Sequence, residues 1–119
     1  MLITLLKSKI HCARLTQTEL RYEGSITIDE DLMDAAQLLE HEKVHVMNIN
    51  NGSRIETYII KGKRGSGVIC LNGAAARHGE VGDEVIILSY VSLEPDEVKK
   101  HKPTVILVNE KNKVSKKLL

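Results

Sequence analysis

The chain has no tryptophan and no phenylalanine, and only three tyrosines among its 119 residues. Its core must therefore be assembled from Ile, Val and Leu, and the β-branched members of that set favour strands. The same shortage removes the aromatic platform on which single-stranded nucleic acids stack. Cysteine is also scarce: Cys12 and Cys70 have neither metal-site spacing nor the number a disulfide framework needs. Reduced thiols and a cytoplasmic setting are the expectation. Charge of one sign is missing too, since 17 Lys and Arg face 16 Asp and Glu for a net charge of +1. That balance gives no electrostatic footprint for nucleic acid or a membrane surface. No segment approaches the ~20 apolar residues of a membrane span. The apolar start Met1-Leu2-Ile3-Thr4-Leu5-Leu6 is too short for a secretory signal.

What is present fits one domain, residues 1–119, long enough to bury roughly two-thirds of its unfolded surface. Residues 2–6 read as a strand, and 9–20 hold a second with Lys9 and His11 on one face. Residues 21–28 form a third. Asp29 then reads as the N-cap of a short amphipathic helix over 30–39, with Leu32, Met33, Ala35, Ala36, Leu38 and Leu39 at helical spacing. Strands over 44–49 and 54–61 flank Asn50-Asn51-Gly52-Ser53, the clearest turn in the chain. The Gly-rich loop 62–67 lacks the Gly-Lys-Ser/Thr ending of a P-loop and reads as a connection. A buried strand over 68–71 feeds Asn72-Gly73-Ala74-Ala75 and about two turns of helix, ended by Gly79. Strands over 84–92 and 104–109 follow, separated by a short helix from Glu94 that stops before Pro103. The polar, basic segment 110–119 is expected to be a flexible tail. Many short strands with Gly-rich turns and a few helical inserts make a mainly β protein, a small closed barrel.

One stretch asks for a reason of its own. Tyr22-Glu23-Gly24-Ser25 enters the third strand with a glycine, which loses cross-strand packing and opens the backbone to close approach. The serine after it puts a hydroxyl beside the preceding carbonyl carbon. By itself this reads as a bulge that happens to hold a serine.

The company of that stretch changes its reading. Ser8-Lys9-Ile10-His11, Tyr22-Glu23-Gly24-Ser25, Asn51-Gly52 with Arg54, Thr57-Tyr58 and Asn72-Gly73-Ala74-Ala75 occur in one order over nearly the whole chain. Together they resemble the aspartate 1-decarboxylases, small self-processing pyruvoyl enzymes that make β-alanine for pantothenate biosynthesis. The resemblance implies a six-stranded double-psi β-barrel, assembled as a homotetramer with sites between subunits. It also implies self-cleavage between Gly24 and Ser25, giving a β-chain of residues 1–24 and an α-chain of residues 25–119. Ser25 would become a covalent pyruvoyl group, and L-aspartate would be the substrate. Two positions depart from the family pattern: Met47, where many relatives carry a larger aromatic, and Cys12 after His11, where a basic residue is common.

The chemistry explains why such residues would be needed. Losing CO2 from an α-amino acid leaves a carbanion that only an imine-linked electron sink can hold, and no Schiff-base lysine with a phosphate cradle can be assigned here. In the self-processing that the resemblance implies, Gly24 offers an unhindered carbonyl and Ser25 the nucleophile. Tyr22 opens the same motif. Thr57 and Asn72 are candidates to stabilise the oxyanion, worth roughly 3–4 kcal/mol per donor, and His11 is a candidate proton shuttle. For substrate binding the candidates are Arg54 and Lys9 toward carboxylate, with Thr57 and the backbone amides of Gly73, Ala74 and Ala75. Tyr58 is the candidate acid that reprotonates the α-carbon. Each of these residue types more often serves packing, turns or solvation, so the roles come from the resemblance. In a regular strand Arg54 and Tyr58 share a face and Thr57 does not, which calls for a bulge or a site shared between protomers. His41, His45, His78 and His101 are too scattered for a metal site and read as surface positions. The competing readings are a non-catalytic β-barrel binding module and an oligomer subunit that no longer processes itself. The chain leaves room for a maturation helper.

Overall fold

A computed structural model describes residues 1–119, and its geometry is set by the first strand. β1 (Ile3–Arg14) is twelve residues long and joins the first segment read as a strand to the first half of the second, whose remainder lies beyond it. Register shifts between Leu6 and Ser8 and between Ile10 and Ala13 let it bend without breaking. Only Leu15 and Thr16 separate it from β2 (Gln17–Glu19). Then follow β3 (Ser25–Asp29), α1 (Glu30–Ala36), β4 (Lys43–Asn48), β5 (Arg54–Gly62), β6 (Ile69–Asn72) and a 3-10 helix (Gly73–His78). The last elements are β7 (Glu84–Leu93), α2 (Pro95–Val98), β8 (Thr104–Val108) and β9 (Val114–Lys117).

The strands pair in the order β2-β6-β3-β5-β4-β7-β1-β8-β9. Because β1 runs almost directly into β2, that order returns to the stretch of chain where it began. The two ends of the seven-strand run β2 to β1 are joined by the chain and not by a ladder, which curls the sheet toward a barrel, with β8 and β9 attached beside β1. The interior is aliphatic, as the missing aromatics require: Ile10, Leu15, Ile26, Ile28, Ile59, Ile69, Leu71, Ile87 and Ile106 are fully buried. No helix is long and apolar enough to cross a membrane.

Three elements differ from their sequence reading. β3 begins at Ser25, so Gly24 precedes the strand instead of lying inside it, and Gly24 is not among the positive-φ residues. α1 stops at Ala36, three residues early. Gln37 adopts the left-handed conformation at φ 57°, and the Gln37 and Leu38 amides bond back to Asp34 and Met33. The backward turn buries Leu38 and leaves Leu39 exposed. The segment expected to be a flexible tail instead forms β9, paired with β8. Asn112 explains this order. It is buried in the left-handed conformation, accepts from the Arg14 amide, and donates to the Arg14 and Gly67 carbonyls at 2.8 Å each. Its carboxamide satisfies backbone groups of β1 and of the 62–67 loop that would otherwise lack partners.

The same loop is anchored by Asp29, the N-cap of α1. Its buried carboxylate accepts from the amides of Asp31 (2.8 Å), Gly65 (2.9 Å) and Gly67 (2.7 Å). Burial alone would raise the Asp29 pKa. The amides of Gly67, Asp31 and Gly65, aided by the Lys113 charge, outweigh it and hold the carboxyl below its ordinary value. Asp29→Asn leaves an NH2 facing one of these amides, and an unsatisfied buried donor costs about 1–3 kcal/mol. Because the folded carboxyl ionises more readily than the unfolded one, its contribution is present at neutral pH and lost as pH falls through the folded value. Urea unfolding at pH 7 and at progressively lower pH should show a less stable variant whose deficit shrinks with acid. A variant as stable as its parent at pH 7 contradicts the assignment.

Candidate active site

β3 lies between a parallel neighbour, β5, and an antiparallel one, β6. The antiparallel register puts Ser25 opposite Asn72 and Thr27 opposite Cys70, so four polar side chains meet on one face of two strands. Ser25 is wholly buried. Its hydroxyl donates to the Glu23 carbonyl at 3.0 Å and accepts from Asn72 Nδ2 at 2.9 Å. Asn72 Nδ2 also donates to Thr27 Oγ1 at 2.9 Å, and Asn72 Oδ1 accepts from the Cys70 thiol at 3.2 Å. Burial, and then the nearby Glu19 charge, push the Cys70 thiol up to about 11, so it keeps its proton at neutral pH.

Gly73 follows Asn72 with φ +66°, which favours glycine. A Cβ there would lie 2.7 Å from the Tyr22 carbonyl oxygen and 2.8 Å from the nitrogen and Cα of Gly24. The start of the 3-10 helix is therefore packed directly on the Gly24 backbone. On its other side Gly24 is open, with nothing within 4 Å of where a Cβ would project. That opening belongs to a cleft of about 370 Å³ whose walls include Thr57, Tyr58, Ala74, Ala75 and His78. β3 and β5 pair with Ile26 opposite Ile59. Carried back two residues, this register sets Gly24 against Thr57, beyond the point where the ladder stops. The cleft is the gap left there.

β5 pairs with β4 from Arg54 to Tyr58 without a bulge. Thr57 and Tyr58 point to opposite faces yet both reach the cleft, because it opens along the unpaired edge of β5. The Tyr58 ring lies 6.3 Å from that of His41. No side chain caps the 3-10 helix at Asn72, so the first amides of Gly73, Ala74 and Ala75 lack a side-chain partner there.

The fold thus gathers Gly24, Ser25, Thr57, Tyr58, Asn72, Gly73, Ala74 and Ala75 in one neighbourhood. It does not bring the expected cations to this cleft. Arg54 is exposed at the start of β5, opposite Met47. Lys9 and His11 lie on β1, Lys9 opposite Leu88 and Val105, His11 opposite Leu107. His11 Nδ1 is buried without a hydrogen-bond partner. Tyr22 is exposed and borders a separate cleft of about 390 Å³ that also reaches Thr27, Cys70 and Asn72.

Sequence reasoning missed Thr27, Cys70 and His78. For the first two a local signal existed: Thr27 is two residues from Ser25, and Cys70 two from Asn72, so each pair shares a strand face. His78, read as a surface residue, lines the cleft and bonds Ser53 through Nδ1 at 2.9 Å.

Known proteins carry the same pattern. The family model described as aspartate decarboxylase matches residues 1–115. An aspartate 1-decarboxylase of Phocaeicola vulgatus is 63% identical over 106 residues, covering 89% of this chain and 91% of that one. One from Caldicellulosiruptor saccharolyticus is 61% identical over 116 residues, covering 98% and 91%. One from Ruminiclostridium cellulolyticum is 57% identical over 115 residues, covering 97% and 90%. Among solved structures, the computationally designed double-psi β-barrel msDPBB_sym2 superposes with a TM-score of 0.50 at 18% identity, covering 73% of this chain and 99% of that one. Its likeness bears on the fold alone. With a mainly β fold, a buried serine beside an open glycine, and this match over almost its full length, the chain belongs to the aspartate decarboxylase family.

Proposed function

We propose that this chain decarboxylates L-aspartate to β-alanine and CO2, after cutting itself between Gly24 and Ser25. The observation that carries the reading is Ser25 Oγ, buried and held between Glu23 and Asn72, next to a glycine that lines the cleft.

In self-processing, Ser25 Oγ bonds to the Gly24 carbonyl carbon and the Gly24–Ser25 C–N bond breaks, leaving an ester and a free amino group. The ester then eliminates: Ser25 Cα loses its proton, the Cβ–Oγ bond breaks, and Gly24 departs as a carboxylate that keeps Oγ. Water replaces the nitrogen, ammonia leaves, and a keto group remains at residue 25. Asn72 Nδ2–H supports the oxygen that takes up charge in the elimination. Thr57, which lines the cleft with Gly24, is proposed to serve the oxyanion of the first attack. His11 is proposed as a proton shuttle in processing. Residue 25 fits the resulting pyruvoyl group, since Asn72 Nδ2 offers a donor there and the adjoining Gly24 lines the cleft. When formed, that group supplies the electron sink that decarboxylation requires.

The rest of the site binds and orients. The amides of Gly73, Ala74 and Ala75 offer donors to a carboxylate, and the small side chains allow close approach. Tyr58 holds the proton for the α-carbon at the cleft wall. A dianionic substrate still needs cations, and no Lys or Arg lines this cleft. Sites completed by Lys9 and Arg54 across the protomer boundaries of a homotetramer meet that need.

Purified protein should separate on a denaturing gel into fragments of residues 1–24 and 25–119, and release β-alanine from L-aspartate. Borohydride added together with L-aspartate should inactivate it through covalent trapping at residue 25. Matured protein that keeps an ordinary amino group at residue 25 while still releasing β-alanine overturns the reading.

A further inference from the structure

Asn72 touches Ser25 Oγ from the neighbouring strand, and its effect depends on which end of its carboxamide points at the hydroxyl. The two ends are nearly the same shape, one donating and one accepting, so packing alone does not choose between them. The neighbours choose by chemistry. The Ser25 hydroxyl already gives its proton to the Glu23 carbonyl, so it offers Asn72 lone pairs only. Thr27 Oγ1 is compatible with either end. The remaining neighbour is Cys70, whose sulfur lies 3.2 Å from Asn72 Oδ1, closer than its alternative acceptor, the Leu71 carbonyl at 3.8 Å. A protonated thiol donates, so it selects the oxygen end of the carboxamide.

We infer that Cys70 is a positioning residue for self-cleavage: its S–H holds the Asn72 carboxamide so that the NH2 faces Ser25 Oγ. The inference rests on the reading of Ser25 as the self-cleaving residue. Burial and the Glu19 charge keep the thiol protonated, so the lock holds throughout the neutral pH range. Without it, a half-turn of Asn72 places Oδ1 against the serine. The hydroxyl proton would then turn from Glu23 to Asn72, and the N–H that supports the departing oxygen in the elimination would be gone. The pattern is directional from end to end: Cys70 to Asn72, Asn72 to Ser25, Ser25 to Glu23.

Three substitutions separate this from simple packing. Cys70→Val fills the same volume without a donor, Cys70→Ala leaves the site empty, and Cys70→Ser keeps a donor. The readout is the rate at which freshly made chain converts to the 25–119 fragment, followed by intact mass, with the thermal midpoint measured on each unprocessed chain. Losing one oriented hydrogen bond should slow cleavage about tenfold in Cys70→Val. Cys70→Ser should stay within about threefold of the parent, the midpoints staying close together. Equal rates for Cys70→Val and parent overturn the inference, as does slowing in Cys70→Ser equal to that in Cys70→Val. If Cys70→Val fails to fold, Cys70→Ala is judged by the same criteria. A parent that never cleaves refutes the self-processing reading itself, whereas a cleaving parent with an indifferent Cys70 refutes only the positioning role.

Discussion

Ser25→Ala is expected to remain a single chain of 13.3 kDa and to release no β-alanine above the uncatalysed background. The substitution removes one oxygen, and that oxygen is the nucleophile, the ester atom and the leaving atom in turn. Thr27 Oγ1, the other hydroxyl held by Asn72, is two residues further along β3 and does not adjoin the Gly24–Ser25 peptide. The fold should survive. Alanine fits the space, and Asn72 Nδ2 keeps its bond to Thr27, so the loss amounts to hydrogen bonds worth about 1 kcal/mol each. Intact mass and a thermal melt on one preparation check both halves. A cleaved Ser25→Ala chain would refute the assignment, and an unfolded one would refute the claim that Ser25 serves chemistry more than packing.

Gly73→Ala should stop or severely slow cleavage although residue 73 takes no part in the bond changes. Its backbone sits at φ +66°, and an added Cβ would fall 2.7 Å from the Tyr22 carbonyl and 2.8 Å from Gly24. Neither neighbour is the end of a flexible side chain, so the Gly24 peptide itself must move. A displacement of about 1 Å between reacting groups can cost about 100-fold in rate, and a loss of that order is expected. Gly52→Ala is the matched control. It sits at φ +75° with nothing within 4 Å of its Cβ position, so it carries similar backbone strain, about 1–2 kcal/mol, without the collision. The control should cleave at the parental rate with a lowered thermal midpoint. Equal cleavage in Gly73→Ala and Gly52→Ala would show that strain, not contact with Gly24, governs residue 73.

Local features were legible to the extent that their causes are local. The turn at Asn51-Gly52 follows from the backbone freedom of its glycine: Gly52 adopts φ +75°, whereas Asn51 does not take the positive φ that an Asn-Gly pair allows at both positions. Asp29 as an N-cap follows from a carboxylate placed just before a helical run, and its side chain does accept from Asp31. The end of α1 was not legible, because nothing in the local pattern makes Gln37 adopt the left-handed conformation. The C-terminal strand failed for a different reason. Its order depends on Asn112 reaching Arg14, 98 positions away, and a polar, basic stretch carries no sign of that.

The motifs around residues 24–25 and 72–75, the aliphatic composition and the alternating strands determined the family and the barrel class, since both are written in residue types at short spacing. Only the folded chain decided that Ser25 and Asn72 face each other across 47 positions, that Cys70 and Thr27 complete their network, and that Lys9, His11 and Arg54 stand away from the cleft. Strand register sets those neighbours, and register comes from the burial of whole strand faces around the barrel, a property shared by the entire chain and held by no single stretch of it.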